Sequence, residues 1–181
     1  MPIRHTWSVD VNFAPRLRGD GIELRALSQR DVRVRATIGR HREVARGFGG
    51  DLARDHLPMT EAEAADELRH SFGPGPHWAI ADDTDTLVGT IRLAPIDVPN
   101  RSARLGIGIY DPGRLALGLG SAATRTALSY GFGKLGLNRV NLTVLAGNDR
   151  AIAAYRKVGF RLEGGSPRSR PRRRRRTAEN E

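Results

Sequence analysis

Two short stretches carry the residue types that could hold a ligand and act on it: Leu117-Gly118-Leu119-Gly120-Ser121, and Asn148 to Phe160, NDRAIAAYRKVGF. In the second, Tyr155 carries the titratable group, a phenol that can donate or accept a hydrogen bond. Asn148 suits a helix N-cap, because its side-chain oxygen can accept from an unpaired amide of the first turn. Ala151, Ile152, Tyr155 and Val158 follow at three- and four-residue spacing and so share one face. Lys157 falls in the last turn, where the helix dipole favours a cation. Gly159 suits a left-handed stop, after which Phe160 folds back as a strand begins. Two readings stay open at this level: a short amphipathic helix with a structural tyrosine, or one wall of a ligand site.

The glycine turn lies between a strand pattern and a helix pattern. Amides at a helix N-terminus attract anions, and glycine lets the backbone approach a phosphate closely. A glycine pair that only marks a turn is the competing reading. Gly106 and Gly108 sit in the strand pattern ARLGIGIY, residues 103–110, where glycine marks a close backbone approach or tight packing against a helix. The chain has no cysteine, which excludes a cysteinyl acyl-enzyme, thiolate metal sites and disulfides. Its five histidines show no H-x-x-x-H spacing, and no metal is expected.

The elements that must position these groups can be followed in order. Residues 1–20 are expected to be an arm, broken by Pro15 and Gly19. Gly21 to Leu27 alternates as a half-buried strand. Ser28 with Asp31 opens a helix expected to reach about Arg46. Gly47 to Pro58 is expected to be a loop. Thr60 with Glu63 forms a capping box for a helix to about Phe72. His77 to Ala81 and Leu87 to Pro95 form a hairpin across an acidic turn. The strand at residues 103–110, a helix from Gly118–Gly120 to about Leu135, the strand Arg139–Leu145 and the helix after Asn148 complete the order. This is an α/β pattern with a mixed sheet.

The motif N-x-x-A-x-x-x-Y-x-x-x-G-F, after a strand of the Asn138–Leu145 type, resembles the end of the GNAT family of acetyl-CoA-dependent N-acyltransferases. The nearest branch holds ribosomal-protein N-terminal and spermidine acetyltransferases. The resemblance runs from about Pro15 to Phe160. It implies a GNAT domain over residues 1–165 that moves acetyl from acetyl-CoA to a primary amine by direct attack in a ternary complex. It implies coenzyme contacts from Ile107, Gly108 and Ile109 along a splayed strand, and from Leu115, Leu117, Gly118, Leu119, Gly120 and Ser121 around the pyrophosphate. Asn148, Ala151 and Tyr155 would lie near the thioester, with Tyr155 the acid for the leaving thiolate. The family's Q/R/W-G-K/R-G-x-G/A run is here Leu115-Ala116-Leu117-Gly118-Leu119-Gly120. Leu117 replaces a basic residue and Ala116 a glycine, so weaker coenzyme affinity is expected. The family's A-E-L-G-type glutamate is here Arg104, which cannot be a base. His77, Asp97, His41, His56 and a water chain are the alternatives.

Net charge is +10, and residues 166–181 supply half of it with seven arginines and two glutamates. Five successive arginines repel one another and lack an alternating apolar face, so the family's last strand is expected to be absent and the tail disordered. The uncovered edge could be met by a second copy, giving a homodimer. The tail could touch RNA or the ribosome electrostatically. A degenerate coenzyme- or RNA-binding protein is the alternative function. No apolar run reaches the roughly 20 residues needed to span a bilayer, and a cytoplasmic location is expected. The acceptor is expected to be chosen by residues 47–58 and the helices around them.

Overall fold

A computed structural model describes residues 13–48, 58–69, 74–166 and 175–180. The first twelve residues of the arm, residues 49–57 with His56, Phe72 and residues 167–174 of the arginine run lie outside the described residues.

The sheet is built from β1 (Leu17–Gly19), β2 (Ile22–Arg25), β3 (His77–Ala81), β4 (Leu87–Asp97), β5 (Ser102–Ile109), β6 (Arg139–Leu145), β7 (Arg161–Ser166) and β8 (Arg175–Asn180), in the order β1-β2-β3-β4-β5-β6-β8-β7. All neighbours are antiparallel except β5 and β6. The helices are α1 (Gln29–Ile38), α2 (Arg42–Phe48), α3 (Glu61–Arg69), α4 (Leu119–Gly133) and α5 (Asp149–Lys157). The expected mixed α/β order is therefore observed.

Alternation along the strands divides the core in two. Trp78, Ile80, Ile91, Leu93, Leu105, Val140 and Leu142 join the core on the α4 side, against Ala123, Ala127 and Leu128. Ala79, Leu87 and Tyr110 join the core on the other side, against Val32 of α1 and Ala64 and Leu68 of α3. Both expected capping boxes form. The Asp31 carboxylate accepts from the Ser28 amide at 2.7 Å and its hydroxyl at 2.8 Å, and Glu63 does the same at Thr60.

Three expectations fail. Residues 17–19 are not arm but strand, and the Trp78 indole donates to the Pro15 carbonyl at 2.8 Å, which ties the entry segment into the core. The long helix from Ser28 breaks into α1 and α2 at Gly39, whose φ of +69° a helix cannot contain. The last strand is present: β8 pairs with β6 from Val140–Asn180 to Leu145–Arg175, and with β7 on its other edge. Strand pairing is a backbone bond pattern. The uncovered edges of β6 and β7 offer a full set of donors and acceptors to any residue but proline, and the arginine run ends within this strand.

Candidate active site: a splayed strand pair between two helix ends

β5 and β6 are in register only over Ser102–Arg104 against Arg139–Asn141. Beyond that they diverge, although β4 stays paired to β5 as far as Ile109. The edge of β5 that faces β6 therefore presents open backbone groups beside half-buried Gly106, Ile107, Gly108 and Ile109. An unpaired strand edge accepts an extended polar chain.

The start of α4 lies at the wide end of this opening. The first helical bond runs from the Ala122 amide to the Gly118 carbonyl, so the amides of Leu119, Gly120 and Ser121 have no helical acceptor. Gly118 turns the chain at φ +83°. A side chain on Gly120 would stand 3.9 Å from both Ile107 and Ile109, which places this turn directly on β5. Ala116 keeps a glycine-type φ of +63°, and Leu117 is 62% exposed. Leu115 closes the 3-10 turn at Pro112–Arg114, its amide donating to the Pro112 carbonyl. Arg114 donates to the buried Asp82 carboxylate at 2.7 Å and fastens this approach to the β3–β4 turn. Burial would raise the Asp82 carboxyl, but hydrogen bonds from Thr84 and Thr86 and the Arg114 charge outweigh it and hold it below the usual carboxylate range.

α5 forms the other wall. Asn148 Oδ1 accepts from the Ala151 amide at 3.1 Å, the expected cap, while its Nδ2 donates to the Gly47 carbonyl of α2 at 3.1 Å. Its side chain is thus committed at both ends. Tyr155 packs edge-on to Phe160 with ring centroids 5.8 Å apart, and Gly159 stops the helix at φ +97°. Burial pushes the Tyr155 phenol up to about 12, so it holds its proton at neutral pH. Its hydroxyl has no hydrogen-bond partner among the described residues. The structure brings Gly120 to Ile107 and Ile109 and joins Ala151 to Asn148; Tyr155 packs on the same apolar core as the two isoleucines.

On the sheet face opposite α4, beside the apolar cluster of Ala79, Leu87 and Tyr110, several polar side chains gather. His77, Arg92 and Gly106 are cross-strand neighbours on β3, β4 and β5. A side chain on Gly106 would meet the Arg92 guanidinium carbon at 2.5 Å, so Arg92 lies across the bare backbone of β5. Arg104 spans the vertex of the opening and donates to Thr143 of β6 at 2.7 Å. Tyr110 and Thr90 share a buried hydrogen bond of 2.7 Å, and the Arg35 guanidinium lies 4.4 Å above the Tyr110 ring. None of the described base candidates is well suited. Burial, and then the Arg92 charge, pushes His77 down to about 4, a weak base. Asp97 is held by the side chain and amide of Asn100. His41 Nε2 bonds the Ile38 carbonyl at 2.7 Å. Sequence reasoning missed Arg92, which only the alternation of β4 signalled by putting it on the face of Thr90. Gly47 and Phe48, expected to open an acceptor-side loop, instead end α2, and the Phe48 ring comes within 3.1 Å of where a Gly108 side chain would be.

An open strand edge, a helix N-terminus at its mouth and a tyrosine helix beside it are an arrangement that could hold an extended, phosphate-bearing ligand, and comparison with known proteins gives the family. The sequence profile of the acetyltransferase (GNAT) domain matches residues 22–161. The spermidine N(1)-acetyltransferase of Escherichia coli K12 is 38% identical over 143 residues, 79% of this chain and 74% of that protein. A Bacillus subtilis protein described as an uncharacterized N-acetyltransferase, YoaA, is 29% identical over 157 residues, 83% of this chain and 85% of its own length. Among solved structures, a GNAT-family acetyltransferase from Bacillus anthracis superposes with a TM-score of 0.75 at 17% identity, over 92% of this chain and 98% of that one. The spermidine N-acetyltransferase of Vibrio cholerae, solved with CoA and spermine, gives 0.70 at 21% identity, over 88% and 95%. The chain belongs to the GNAT acetyltransferase family, whose members move acetyl from acetyl-CoA to an amine. Among the described residues no helix is long and apolar enough to cross a membrane, and no cluster of acidic or histidine side chains could hold a metal ion.

Proposed function

We propose that this chain acetylates a primary amine by direct attack on acetyl-CoA, with the coenzyme held in the β5–β6 opening. The observation that carries the reading is the divergence of these two parallel strands after Arg104 and Asn141, with the free amides of α4 at the wide end. In this reading the amides of Leu119, Gly120 and Ser121 receive the pyrophosphate beside exposed Leu117 and Gly118. The open edge at Ile107, Gly108 and Ile109 pairs with the amides of the pantetheine arm. Leu115 shapes the approach, and Ala151 and capped Asn148 hold the start of α5 beside it. The bound coenzyme supplies an acyl group on a good leaving thiolate.

The chain's part is proximity, exclusion of water and one proton. With no cysteine, it cannot carry the acyl group on its own sulfur. Tyr155 enters protonated, which suits an acid. A phenol near 12 and a thiol with an ordinary value of about 8.5 differ by about 3.5 units, about 5 kcal/mol. Full proton transfer from the phenol, even to the released thiolate, is therefore uphill. A hydrogen bond that strengthens as negative charge grows on sulfur is the role that fits.

A thermal-shift titration with acetyl-CoA, followed by thiol release over a panel of amines, tests the reading. The expected result is a rise in midpoint that saturates with ligand, and thiol release that requires an amine. No shift at millimolar acetyl-CoA overturns it.

A further inference from the structure

The short helix α2 crosses the wide part of the β5–β6 opening, and three contacts hold it there. At its end the Gly47 carbonyl accepts from Asn148 Nδ2 at 3.1 Å. A side chain on Gly47 would stand 3.0 Å from that nitrogen, so a larger residue would crowd the bond. One turn earlier Glu43 pairs with Arg150 of α5 at 2.9 Å. On the β5 side the Phe48 ring lies 3.1 Å from where a Gly108 side chain would be, with the Tyr110 ring 3.5 Å from the same point. Ile107 and Ile109 pack toward the α4 core, so Gly108 between them faces the other way. α2 therefore reaches from the open edge of β5 to the start of α5, on the face of the opening away from α4.

α2 has no fully buried residue, so packing alone does little to fix it. Its place is set by these few contacts. Asn148 divides its side chain between two tasks: Oδ1 caps α5 at the Ala151 amide, and Nδ2 holds α2. A chain lying along the open edge of β5 would have Ile107, Ile109 and the α4 amides on one side, and α2 with its Phe48 ring on the other.

We infer that Asn148 is a positioning residue that holds α2 over the opening, so that α2 and Phe48 shield the bound thioester arm from water. This rests on the acetyltransferase reading and assigns a further role at the same site. The step suppressed is hydrolysis. A water oxygen adds to the thioester carbon and the C–S bond breaks; acetate forms, one water proton ends on the thiolate and the other in solvent. Excluding water from a reactive ester prevents this loss.

Asn148→Asp separates the two tasks. Aspartate caps a helix as well as asparagine does, but it has no N–H for Gly47 and sets a carboxylate against that carbonyl. On the intact chain, hydrogen exchange read by mass spectrometry should speed up in residues 42–48 and stay unchanged in residues 151–157. Thiol release from saturating acetyl-CoA with no amine present should rise about 3- to 10-fold over wild type, the size of one lost hydrogen bond. A variant that merely unfolds would lose release, so a gain marks positioning. Phe48→Ala, at a position 53% exposed, should give the same gain and carries the test should Asn148→Asp not fold. Unchanged exchange in residues 42–48 overturns the inference while the acetyltransferase reading stands. So does amine-free release that neither variant raises while acetyl-CoA still binds. Absence of acetyl-CoA binding by the wild-type chain overturns both.

Discussion

On the α4–α5 side of the opening the available groups are mostly backbone: three helix amides, an open strand edge and one phenol. On the α1–α3 side they are charged side chains, mostly arginines paired to carboxylates. The difference teaches how each side can fail. A backbone site is set by turns and caps, and side-chain changes reach it weakly. A charged side is held by pairs whose members cannot be removed singly. Breaking a buried pair leaves one charge uncompensated, at about 3–5 kcal/mol.

The largest effect should therefore come from Asp31, 1% exposed, which binds Arg25 through both oxygens at 2.8 and 2.9 Å. Asp31→Ala is expected to lower stability by about 3 kcal/mol, the low end for a broken buried pair because Arg25 keeps its bond to Asp85, read as the midpoint of urea unfolding. Burial would raise the Asp31 carboxyl, but Arg25 and Ser28 outweigh it and hold it low. Its contribution is complete above the ordinary carboxylate value and is lost as pH falls through the lower folded one. A loss under about 1 kcal/mol would mean that this side is not held by its pairs.

Tyr155→Phe comes next and should act on rate rather than fold. Its hydroxyl bonds no described residue, and its ring keeps its contact with Phe160 as phenylalanine. The expected loss is about 10²- to 10³-fold in kcat, with the acetyl-CoA thermal shift unchanged. An unaltered kcat would remove Tyr155 from the chemistry and leave the α4–α5 side a binding surface alone.

The same contrast explains what could be read in advance. On the α4–α5 side the determinants are local in sequence: Asn148 three residues before the amide it caps, Gly159 at the stop, Gly118 at a positive φ. Such signals lie within one turn and survive without tertiary knowledge. The α1–α3 side is assembled from distant residues. Arg35 meets Glu67, and Arg92 crosses β5 only because Gly106 is opposite it in register. Nothing in the sequence near Arg92 names Gly106 as its neighbour. β8 was hidden for a different reason, since its pairing is backbone to backbone and its composition argued for a solvated tail. The break at Gly39 escaped for a third reason: a lone glycine inside a helical pattern does not announce a positive φ.

A smaller effect belongs to pH. His77 is held near 4 by burial and by Arg92, against an ordinary value of 6.5. Above 6.5 the imidazole is neutral in both states and contributes nothing. Between 6.5 and 4 the unfolded chain takes up a proton that the folded chain refuses, so stability falls as pH falls. Full expression of the shift would be about 3 kcal/mol, and partial exposure reduces it to about 1–2 kcal/mol. Urea midpoints at pH 7.5, 6 and 5 should decline, and His77→Gln should flatten that decline while leaving the separate carboxylate transition below about pH 4. A decline unchanged in His77→Gln would show that burial and the Arg92 charge do not keep His77 neutral in the folded chain.

The smallest effect tests the backbone side and has the opposite sign. Ala116 sits at φ +63°, beside a Leu117 that projects into solvent, in the turn leading to the α4 amides. A left-handed backbone costs an L-residue about 1–2 kcal/mol, and glycine removes that strain. Glycine also widens the unfolded ensemble, which takes back about 0.4–1 kcal/mol. Ala116→Gly should then gain about 0.5–1 kcal/mol, a rise of about 1–4 °C in Tm for a chain of this size. Because the turn keeps its shape, the acetyl-CoA shift should be retained or enlarged. A loss of stability would mean that the positive φ at Ala116 is not native, and that the loop bearing the three free amides takes another form until the coenzyme arrives.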